Sequence, residues 1–335
     1  MKIEIYTDDS VFEKLGTPWN KVLSHSVTDT IFLTREWQSV WWRNLGTGQL
    51  RVITIREDDD TLIGIAPLFV ETGTDGLKHL SLVGCVDVSD YLDVLVARGN
   101  ESRVYTALIE TLTRADFPAW DQLHLCTLPA DSPTNKLLAE IAQARGLQIE
   151  TKLHAVAPII ELPATWDEYL ATLDKKQRHE IRRKLRRIEE AHATWHTIGA
   201  DEATDAPIAD FIALHKTSRP DKHLFMDARM QNFFIEIARA LHTRGWLQLL
   251  FLEVEGARAA SLLNFAYGND ILVYNSGYDP IKYGVYSPGI VLFARSIQDA
   301  IAAKYRRYDF LRGNEEYKYR FGAKDTQVVE LHIRR

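Results

Sequence analysis

Cysteine is scarce in this chain of 335 residues, which contains only Cys85 and Cys126. Two thiols with this spacing fit neither a disulfide framework nor a metal-binding knuckle, so we expect reduced cysteines in a cytoplasmic protein. His215 and His223 have no second pair of ligands at metal spacing, and we therefore expect no metal ion.

Long apolar runs are also missing. No stretch approaches the ~18 consecutive apolar residues that suggest a membrane-spanning helix, and the N-terminus lacks the apolar core of a signal peptide. Peripheral association with the cell envelope stays open. The formal net charge of −6 gives no general attraction to nucleic acid, so we expect no DNA partner, and only a local basic patch could bind a polyanion.

A Gly-x-Ser-x-Gly motif, which marks many serine hydrolases, is absent as well. The composition is that of an ordinary globular protein, with 46% hydrophobic and 26% charged residues, and the length favours two domains over one. Pro163 to Trp166 indicate a boundary, because a helix with an acidic first turn follows them. We place the N-terminal domain at residues 1–162 and the C-terminal domain at residues 163–335.

The same order of elements is predicted in both halves: a helix, three antiparallel strands, a second helix and a further strand. Turns at Glu255–Gly256 and Gly268–Asn269 separate the three strands of the second half. In the first half, Asp87, Asp90 and Asp93 punctuate an additional predicted strand. The fold class is therefore α/β (α+β), a duplicated unit in which a mostly antiparallel mixed sheet is flanked by helices.

The stretch from Ile271 to Lys318 contains the most informative helix start. Ser287 is a suitable cap that accepts a hydrogen bond from a first-turn amide, Pro288 has the backbone angle of a first helical position, and Gly289 leaves the opening free of side-chain bulk. The free amides and the positive end of the helix dipole favour an anion such as phosphate or pyrophosphate there.

A strongly basic helix is predicted between Tyr169 and Ala191. An apolar stripe runs along it, while only Glu180, Glu189 and Glu190 balance its cations. A solvated helix face and a polyanion-binding surface both fit this pattern. The eight cations are Lys175, Lys176, Arg178, Arg182, Arg183, Lys184, Arg186 and Arg187.

Four short motifs follow one another in the second half: GYDP at 277–280, YSPG at 286–289, YDFLRG at 308–313 and EEYK at 315–318. In this order they resemble the GNAT acyltransferase superfamily, and in particular its double-domain FemAB-like and CelD-like branch. The resemblance covers residues 169–323, with a looser match over SDYLDVLV at 89–96 and around Trp41. It implies two tandem GNAT-like domains.

This resemblance implies that acyl-CoA lies across a splayed pair of strands, with its pyrophosphate at the helix that begins at Ser287. Typical members have a Gln/Arg-x-x-Gly-x-Gly/Ala loop there, whereas this chain has GVYSPG, and Pro288 removes one amide. Some FemAB-like members take the acyl group from aminoacyl-tRNA, a donor that the basic helix would suit. The implied donor-binding residues are Tyr283, Tyr286, Ser287, Pro288, Gly289 and Ile290.

The first half has no equivalent loop, so we expect a degenerate N-terminal domain that shapes the acceptor pocket from the interface. Trp42 either faces the substrate or belongs to the aromatic core with Trp37 and Trp41. The candidate substrate-binding residues are Trp42, Asp90, Tyr91, Arg178, Arg182, Arg219 and Arg312.

Acyl transfer to an amine needs a base, since a lysine-like amine has a pKa of about 10.4. Asp309, Glu315 and Glu316 are the candidates, although a buried Asp309 could equally be paired within the structure. Tyr274 and Tyr278 could protonate the leaving group or could simply pack in the sheet. Lys318 could stabilise an oxyanion or bind an acidic acceptor.

The sequence therefore predicts an N-acyltransferase that uses acyl-CoA, acetyl-CoA or longer, as a co-substrate and has no tightly bound cofactor. The acceptor amine would belong to a small molecule, a sugar or a cell-envelope precursor, and would attack directly without a covalent enzyme intermediate. An aminoacyl-tRNA-dependent ligase and a non-catalytic polyanion-binding scaffold are the alternatives.

Overall fold

The computed structural model describes residues 1–85 and 88–335. The chain forms two compact units, one of residues 1–156 with 327–335 and one of residues 157–326. This division differs from the predicted one, because the last nine residues return to the first unit instead of ending in the second. They belong to a C-terminal strand whose residues Val328, Leu331 and Ile333 are buried, so its apolar face needs a partner sheet.

Unit 1 begins with a strand and ends with the C-terminal strand of the chain. Its elements are β1 (Lys2–Tyr6), α1 (Ser10–Ser24), α2 (Arg35–Leu45), β2 (Gln49–Arg56), β3 (Leu62–Thr72), β4 (Lys78–Leu82), β5 (Leu95–Val96), α3 (Glu101–Thr113), β6 (Gln122–Pro129), α4 (Ala139–Ala144) and the first part of β7 (Gln148–Glu161).

Unit 2 is continuous in sequence. It contains the rest of β7 and then α5 (Trp166–Thr172), α6 (Lys175–Glu190), β8 (Thr194–Thr197), α7 (Asp205–Ser218), α8 (Pro220–Phe225), α9 (Ala228–Thr243), β9 (Leu247–Val254), β10 (Ala257–Tyr267), β11 (Asp270–Tyr278), α10 (Pro280–Tyr283), α11 (Pro288–Ala302), β12 (Arg307–Asp309) and α12 (Glu316–Arg320), before β13 (Lys324–Arg334) leads back to unit 1.

The sheets of the two units have the same plan. In unit 1, β2, β3 and β4 form an antiparallel meander, and β4 then pairs in parallel with β6, which follows a helix. In unit 2, β9, β10 and β11 form the corresponding meander, and β11 pairs in parallel with β12. The predicted duplicated unit with mostly antiparallel mixed sheets is confirmed.

Burial explains why the unit 2 helices lie where they do. α11 buries Val291, Leu292 and Ile297 in the same apolar cluster as Ile181 and Leu185 of α6. Residues spaced by three or four along a helix share one face, so each helix has one apolar stripe against the sheet. The opposite face of α6 carries the cations.

Two local predictions differ from the structure. The strand expected around Asp90 and Asp93 is reduced to β5, and Asp87 lies outside the described residues. Pro220 and the mixed charges of residues 215–227 predict a loop, but α7 extends to Ser218 and α8 begins at Pro220. Pro220 occupies the first helical position, where its missing amide costs nothing.

The prediction of unpaired cysteines is wrong, since Cys85 and Cys126 form a disulfide with Cα atoms 5.9 Å apart. Cys85 follows β4 and Cys126 lies in β6, and these strands are neighbours in the sheet. The pairing therefore depends on a contact that sequence spacing does not reveal, and the thiol count no longer supports a reducing compartment. Within the described residues, no helix is long and apolar enough to cross a membrane.

One contact in unit 2 is unusually close. A Cβ added to Gly277 of β11 would lie 2.4 Å from the backbone nitrogen of His215 and 2.6 Å from the carbonyl carbon of Leu214, both in α7. Backbone atoms of a helix cannot move aside as the end of a flexible side chain can. Glycine at this strand position is therefore required for the distance between α7 and β11.

We predict that Gly277→Ala lowers the free energy of unfolding by about 1–3 kcal/mol or more, because the methyl group forces α7 away from β11. Gly284→Ala is the matched control: a Cβ there has no neighbour within 4 Å and the backbone is right-handed helical. Its effect should stay within about 0.5 kcal/mol or be slightly stabilising. Urea unfolding of both variants measures this, and equal effects would contradict the packing argument.

Candidate active site

The C-terminal end of β11 differs from a regular strand in two ways. The register with β10 shifts between the pairs Leu263–Asn275 and Asn264–Val273, so Tyr274 is the extra residue of a β-bulge. β12 pairs with β11 only from Asp270 to Leu272. β11 thus continues to Tyr278 after β12 has ended, which gives the separation of strands that the resemblance implied.

The end of α7 is joined to this part of β11 by hydrogen bonds. Ser218 Oγ accepts a hydrogen bond from the backbone amide of Tyr278 at 2.9 Å. The side chain of His215 is hydrogen bonded to that of Asn275. Together with the close packing at Gly277, these bonds fix where α7 ends and α8 begins relative to the strand.

Lys222 of α8 is the most perturbed lysine of this region. Its Nζ donates a hydrogen bond to the carbonyl oxygen of Ser276 at 2.5 Å. Burial lowers its pKa to about 8, and the neighbouring Arg219 acts in the same direction, while Asp221 and Glu315 oppose the shift. A lysine with such a pKa can give or take a proton near neutral pH.

His215 is buried among aromatic rings, with ring centroids of Phe211 at 5.8 Å and Phe225 at 6.1 Å. Burial, and then the charge of Lys222, lower its pKa to about 4, so the imidazole is neutral at physiological pH. Nδ1 has no hydrogen-bond partner among the described residues. His215 therefore serves to hold Asn275 and is not an exposed titrating group.

The loop that follows β12 is organised by one buried ammonium group. Lys318 Nζ donates to the carbonyl oxygens of Leu311 at 3.2 Å, Arg312 at 2.8 Å and Gly313 at 3.0 Å, and it forms an ion pair with Glu315 at 2.9 Å. These four acceptors share its three protons, so in this structure Lys318 holds the loop, and its contact with an oxyanion or an acidic acceptor stays a prediction.

The three candidate carboxylates have different surroundings. Asp309 is buried, and its Oδ1 accepts a hydrogen bond from the amide of Leu311 at 2.7 Å, which supports a left-handed backbone at Leu311 with φ of 57°. Glu316 is exposed and bonded to Arg320. Glu315 is 53% exposed, is held by Lys318, and acts electrostatically on both Arg219 and Lys222. Glu315 is thus the candidate closest to the β11 site.

The start of α11 lies next to Tyr278, since a Cβ on Gly289 would be 3.8 Å from Cδ1 of Tyr278. The predicted cap is wrong: Ser287 has a left-handed backbone with φ of 52°, and its side chain makes no capping hydrogen bond. The amides of Gly289 and Ile290 belong to the first helical turn, whose amides have no acceptor within their own helix. The positive end of the helix therefore persists without a serine cap.

Some cations of α6 form ion pairs within the helix, and most of them have exposed side chains. Glu180 binds both Arg183 and Lys184, and the Arg183 hydrogen bond is the main reason that its pKa falls to about 2. The guanidinium of Arg187 lies 5.9 Å from the ring centroid of Tyr286, which places cationic charge beside the segment before α11. Exposed side chains include Lys175, Lys176, Arg182, Arg183, Arg186 and Arg187, whereas Arg178 and Lys184 are half-buried.

The structure brings some predicted residues together and assigns others to packing. Tyr278, Arg219 and Glu315 interact around Lys222, and Asp221, Glu315 and Tyr278 all raise the pKa of Arg219, Asp221 most strongly. The ring of Tyr274 packs against those of Phe234 and Phe265, with centroids at 5.6 Å and 4.8 Å. Arg312 is half-buried and contributes its carbonyl oxygen to Lys318.

The predicted residues of unit 1 lie in aromatic surroundings. Trp42 is half-buried with its ring 5.8 Å from that of Phe69, and Tyr91 is buried with its ring 6.2 Å from that of Phe32. Asp90 is half-buried. The sequence did not identify Lys222, His215 and Asn275 as site residues. A loop over residues 215–227 would not include α8, which positions Lys222, or the end of α7, which brings His215 to Asn275.

Comparison with known proteins gives the following findings. Residues 175–319, which contain the whole of the site described above, match the family model for the acetyltransferase (GNAT) domain. The sequence comparison with curated proteins gives no significant match. Similar solved structures include FemX, with 12% identity, coverage of 99% of this chain and 97% of that chain, and a TM-score of 0.69.

Two further structures share this fold. L-PGS from Bacillus licheniformis has 9% identity, coverage of 94% and 91% of the two chains, and a TM-score of 0.59. A tandem GNAT protein from the clavulanic acid biosynthesis pathway, solved without AcCoA, has 13% identity, coverage of 98% of both chains and a TM-score of 0.50. At these identities the similarity shows the fold, and the predicted double-domain GNAT-like architecture is confirmed.

The pKa of Lys222 provides a direct test of the site geometry. In protein labelled with ¹³C at lysine Cε, we expect one resonance to titrate with a midpoint of about 8 and to be missing in Lys222→Arg. Since the folded-state pKa lies below the usual 10.5, the stability contributed by this group should rise as the pH increases from about 8 to 10.5. The remaining lysine resonances are internal controls, and a Lys222 midpoint above 10 would contradict the burial described here.

Proposed function

We propose that this chain transfers an acyl group from acyl-CoA to an amine at the C-terminal end of β11. The match of residues 175–319 to the acetyltransferase (GNAT) domain and the double-domain fold shared with FemX support this proposal. The observation that carries the proposal is the position of Lys222, which is half-buried and donates to the Ser276 carbonyl oxygen, with Glu315 and Tyr278 nearby. The catalytic groups and the α11 helix start thus converge on the same strand end.

The donor would bind along α11 and the segment before it. The first-turn amides of Gly289 and Ile290 and the helix dipole favour the pyrophosphate of CoA, although Pro288 contributes no amide. Arg187 beside Tyr286 supplies a cation close by. Tyr283 and Ser287 complete the proposed donor surface.

In the proposed reaction, the acceptor nitrogen attacks the thioester carbonyl carbon, the C–N bond forms and the C–S bond breaks. Glu315 receives the proton that the amine loses, directly or through water, while Lys318 holds the carboxylate in position. The Lys222 ammonium gives a proton to the departing thiolate. A pKa of about 8 is close to the ~8.5 of a free thiol, so this transfer is nearly balanced.

The acceptor would be an amine that also carries negative charge. The exposed guanidinium of Arg219 and the half-buried Arg312 could bind a carboxylate or phosphate, and Tyr278 could orient the amine. A small molecule, a sugar or a cell-envelope precursor meets this description. Asp309 would support the loop that carries Glu315, through its hydrogen bond to the amide of Leu311.

An aminoacyl-tRNA donor is the second candidate, because α6 presents several exposed cations on one helix. Phosphates along an RNA backbone would be neutralised by such a surface, and binding would then fall steeply with salt. Arg178 and Arg182 belong to this surface in both versions of the proposal. Both donors would place the acyl group at the C-terminal end of β11. They differ in the length of the phosphate chain, which in tRNA would extend along α6.

Calorimetric titration of the full chain with acetyl-CoA and with longer acyl-CoAs tests the donor site. We expect one binding site that is lost in Gly289→Trp, where the indole would fill the space beside Tyr278, and retained in Leu153→Trp, which places the same ring at a 60% exposed position of β7 outside the proposed donor surface. Equal binding by both variants, or no binding by the unmodified chain, would remove acyl-CoA as the donor.

A parallel titration with aminoacyl-tRNA separates the alternatives. Replacement of Arg182, Arg183 and Arg186 by glutamine should leave acetyl-CoA binding within about twofold if acyl-CoA is the donor. If aminoacyl-tRNA binds instead, the same variant should lose affinity and show a weaker salt dependence. Binding of tRNA without any acyl transfer to pooled amines would favour the polyanion-binding scaffold and contradict the enzyme.

A further inference from the structure

A cluster of three histidines and one glutamate lies in unit 1, whereas the groups of the β11 site belong to unit 2. His124 of β6 is paired directly with His332 of β13 in the antiparallel register. Glu330 precedes His332 by two residues, and alternate residues of a strand project from the same face. His154 lies on β7, the neighbour of β13.

The polar atoms of the cluster converge on one carboxylate oxygen. Glu330 Oε2 lies 2.9 Å from His124 Nε2, 3.4 Å from His332 Nε2 and 3.9 Å from His154 Nδ1. One ligand atom each from His124, Glu330 and His332 lie within 4.8 Å of one another. Two ligands that are each ~2.1 Å from one tetrahedral ion are about 3.4 Å apart, so these separations match a common ion with small adjustments.

Hydrogen bonding alone leaves this arrangement incomplete. Nε2 of His332 is buried and has no hydrogen-bond partner among the described residues, although it points toward the Glu330 carboxylate. The rings of His124 and His332 are stacked 4.4 Å apart with an angle of 8° between their planes. A buried nitrogen without a partner is costly, and a cation shared with Glu330 would satisfy it.

We propose that His124, His332 and Glu330 bind one divalent transition metal ion, with His154 as the fourth ligand. Two or three imidazole nitrogens and one carboxylate oxygen in a tetrahedral arrangement are typical ligands of zinc. The proposal does not rest on the acyltransferase activity, and it revises the expectation from sequence that the chain has no metal site.

The surroundings can accommodate the additional charge. The nearby cations Lys152 and Arg334 are both paired with Glu150, at 2.9 Å and 3.0 Å. Gln122 Nε2 lies 2.8 Å from His332 Nδ1 and orients the ring. When Nε2 binds a metal, Nδ1 carries the proton, so the Gln122 amide has to turn and present its oxygen as the outer-sphere acceptor. That turn replaces the hydrogen bond that Gln122 Oε1 accepts from Arg334 Nε at 3.0 Å, while Arg334 keeps its pair with Glu150.

Metal binding would connect two strands, β6 and β13, that are far apart in the sequence. The metal would join β6 to the C-terminal strand β13, whose residues are more than 200 positions further along. A ligand that binds only the folded state stabilises that state, and here it would hold the last strand in unit 1. The site would thus be structural and independent of acyl-donor binding.

The test uses the full chain after removal of metal by chelation. Titration with ZnCl2 should show one ion bound per chain, and Co²⁺ should give the visible absorption of a tetrahedral site. His332→Ala and His124→Ala should each weaken zinc binding by at least about tenfold. The control is His196→Ala, which disrupts a histidine–glutamate pair in unit 2, 3.1 Å apart, and should leave zinc affinity unchanged.

Thermal unfolding completes the experiment. Zinc should raise the unfolding midpoint of the unmodified chain and of His196→Ala, but not that of the cluster variants. If the alanine variants fail to fold, Glu330→Gln, which keeps the side-chain shape, replaces them with the same expectation. Absence of zinc binding, or equal zinc affinity in the cluster variants and the control, would overturn the proposal.

Discussion

The backbone contact between α7 and β11 at Gly277 determines the geometry of the candidate site. Because no side chain separates the two elements, the end of α7 lies directly on the bulged end of the strand. Ser218 and His215 then bond to Tyr278 and Asn275, and the chain turns at Arg219 into α8. The short distance between α7 and β11 therefore positions α8, and with it the half-buried ammonium group of Lys222.

Two lysines of unit 2, the buried Lys318 and the half-buried Lys222, differ in how completely hydrogen bonds replace the hydration of the ammonium group. Lys318 has three carbonyl oxygens and Glu315 as partners, which together replace its hydration. Lys222 has the Ser276 carbonyl and a nearby guanidinium, so burial shifts its pKa toward neutrality. One lysine therefore stabilises a loop, while the other is suited to proton transfer.

The sequence predicted what depends on local patterns. Alternation and turn residues gave the two meanders, and the periodicity of α6 and α11 gave the helices that cover the second one. The family resemblance located the start of α11 and the loop with Glu315. Pro288 and Gly289 were correctly placed at the helix start, although the left-handed Ser287 does not cap it.

Features that depend on long-range pairing could not be predicted. The return of β13 to β6, the disulfide between neighbouring strands and the histidine cluster all join residues whose spacing in the chain carries no signal. The lowered pKa of Lys222 could not be predicted from the sequence for a related reason. Its pKa is set by burial under α7 and β11, and a loop assignment for residues 215–227 gave no burial.

The proposed reaction depends most on proton transfer by Lys222 at the end of β11. The most direct measurement is the pH dependence of thiol release from acetyl-CoA with pooled amines, compared between the unmodified chain and Lys222→Met. We expect an inflection near pH 8 in the unmodified chain that disappears in Lys222→Met, together with a rate of thiol release lower by about 10²–10⁴-fold in the variant. An unchanged rate and pH profile in Lys222→Met would contradict it.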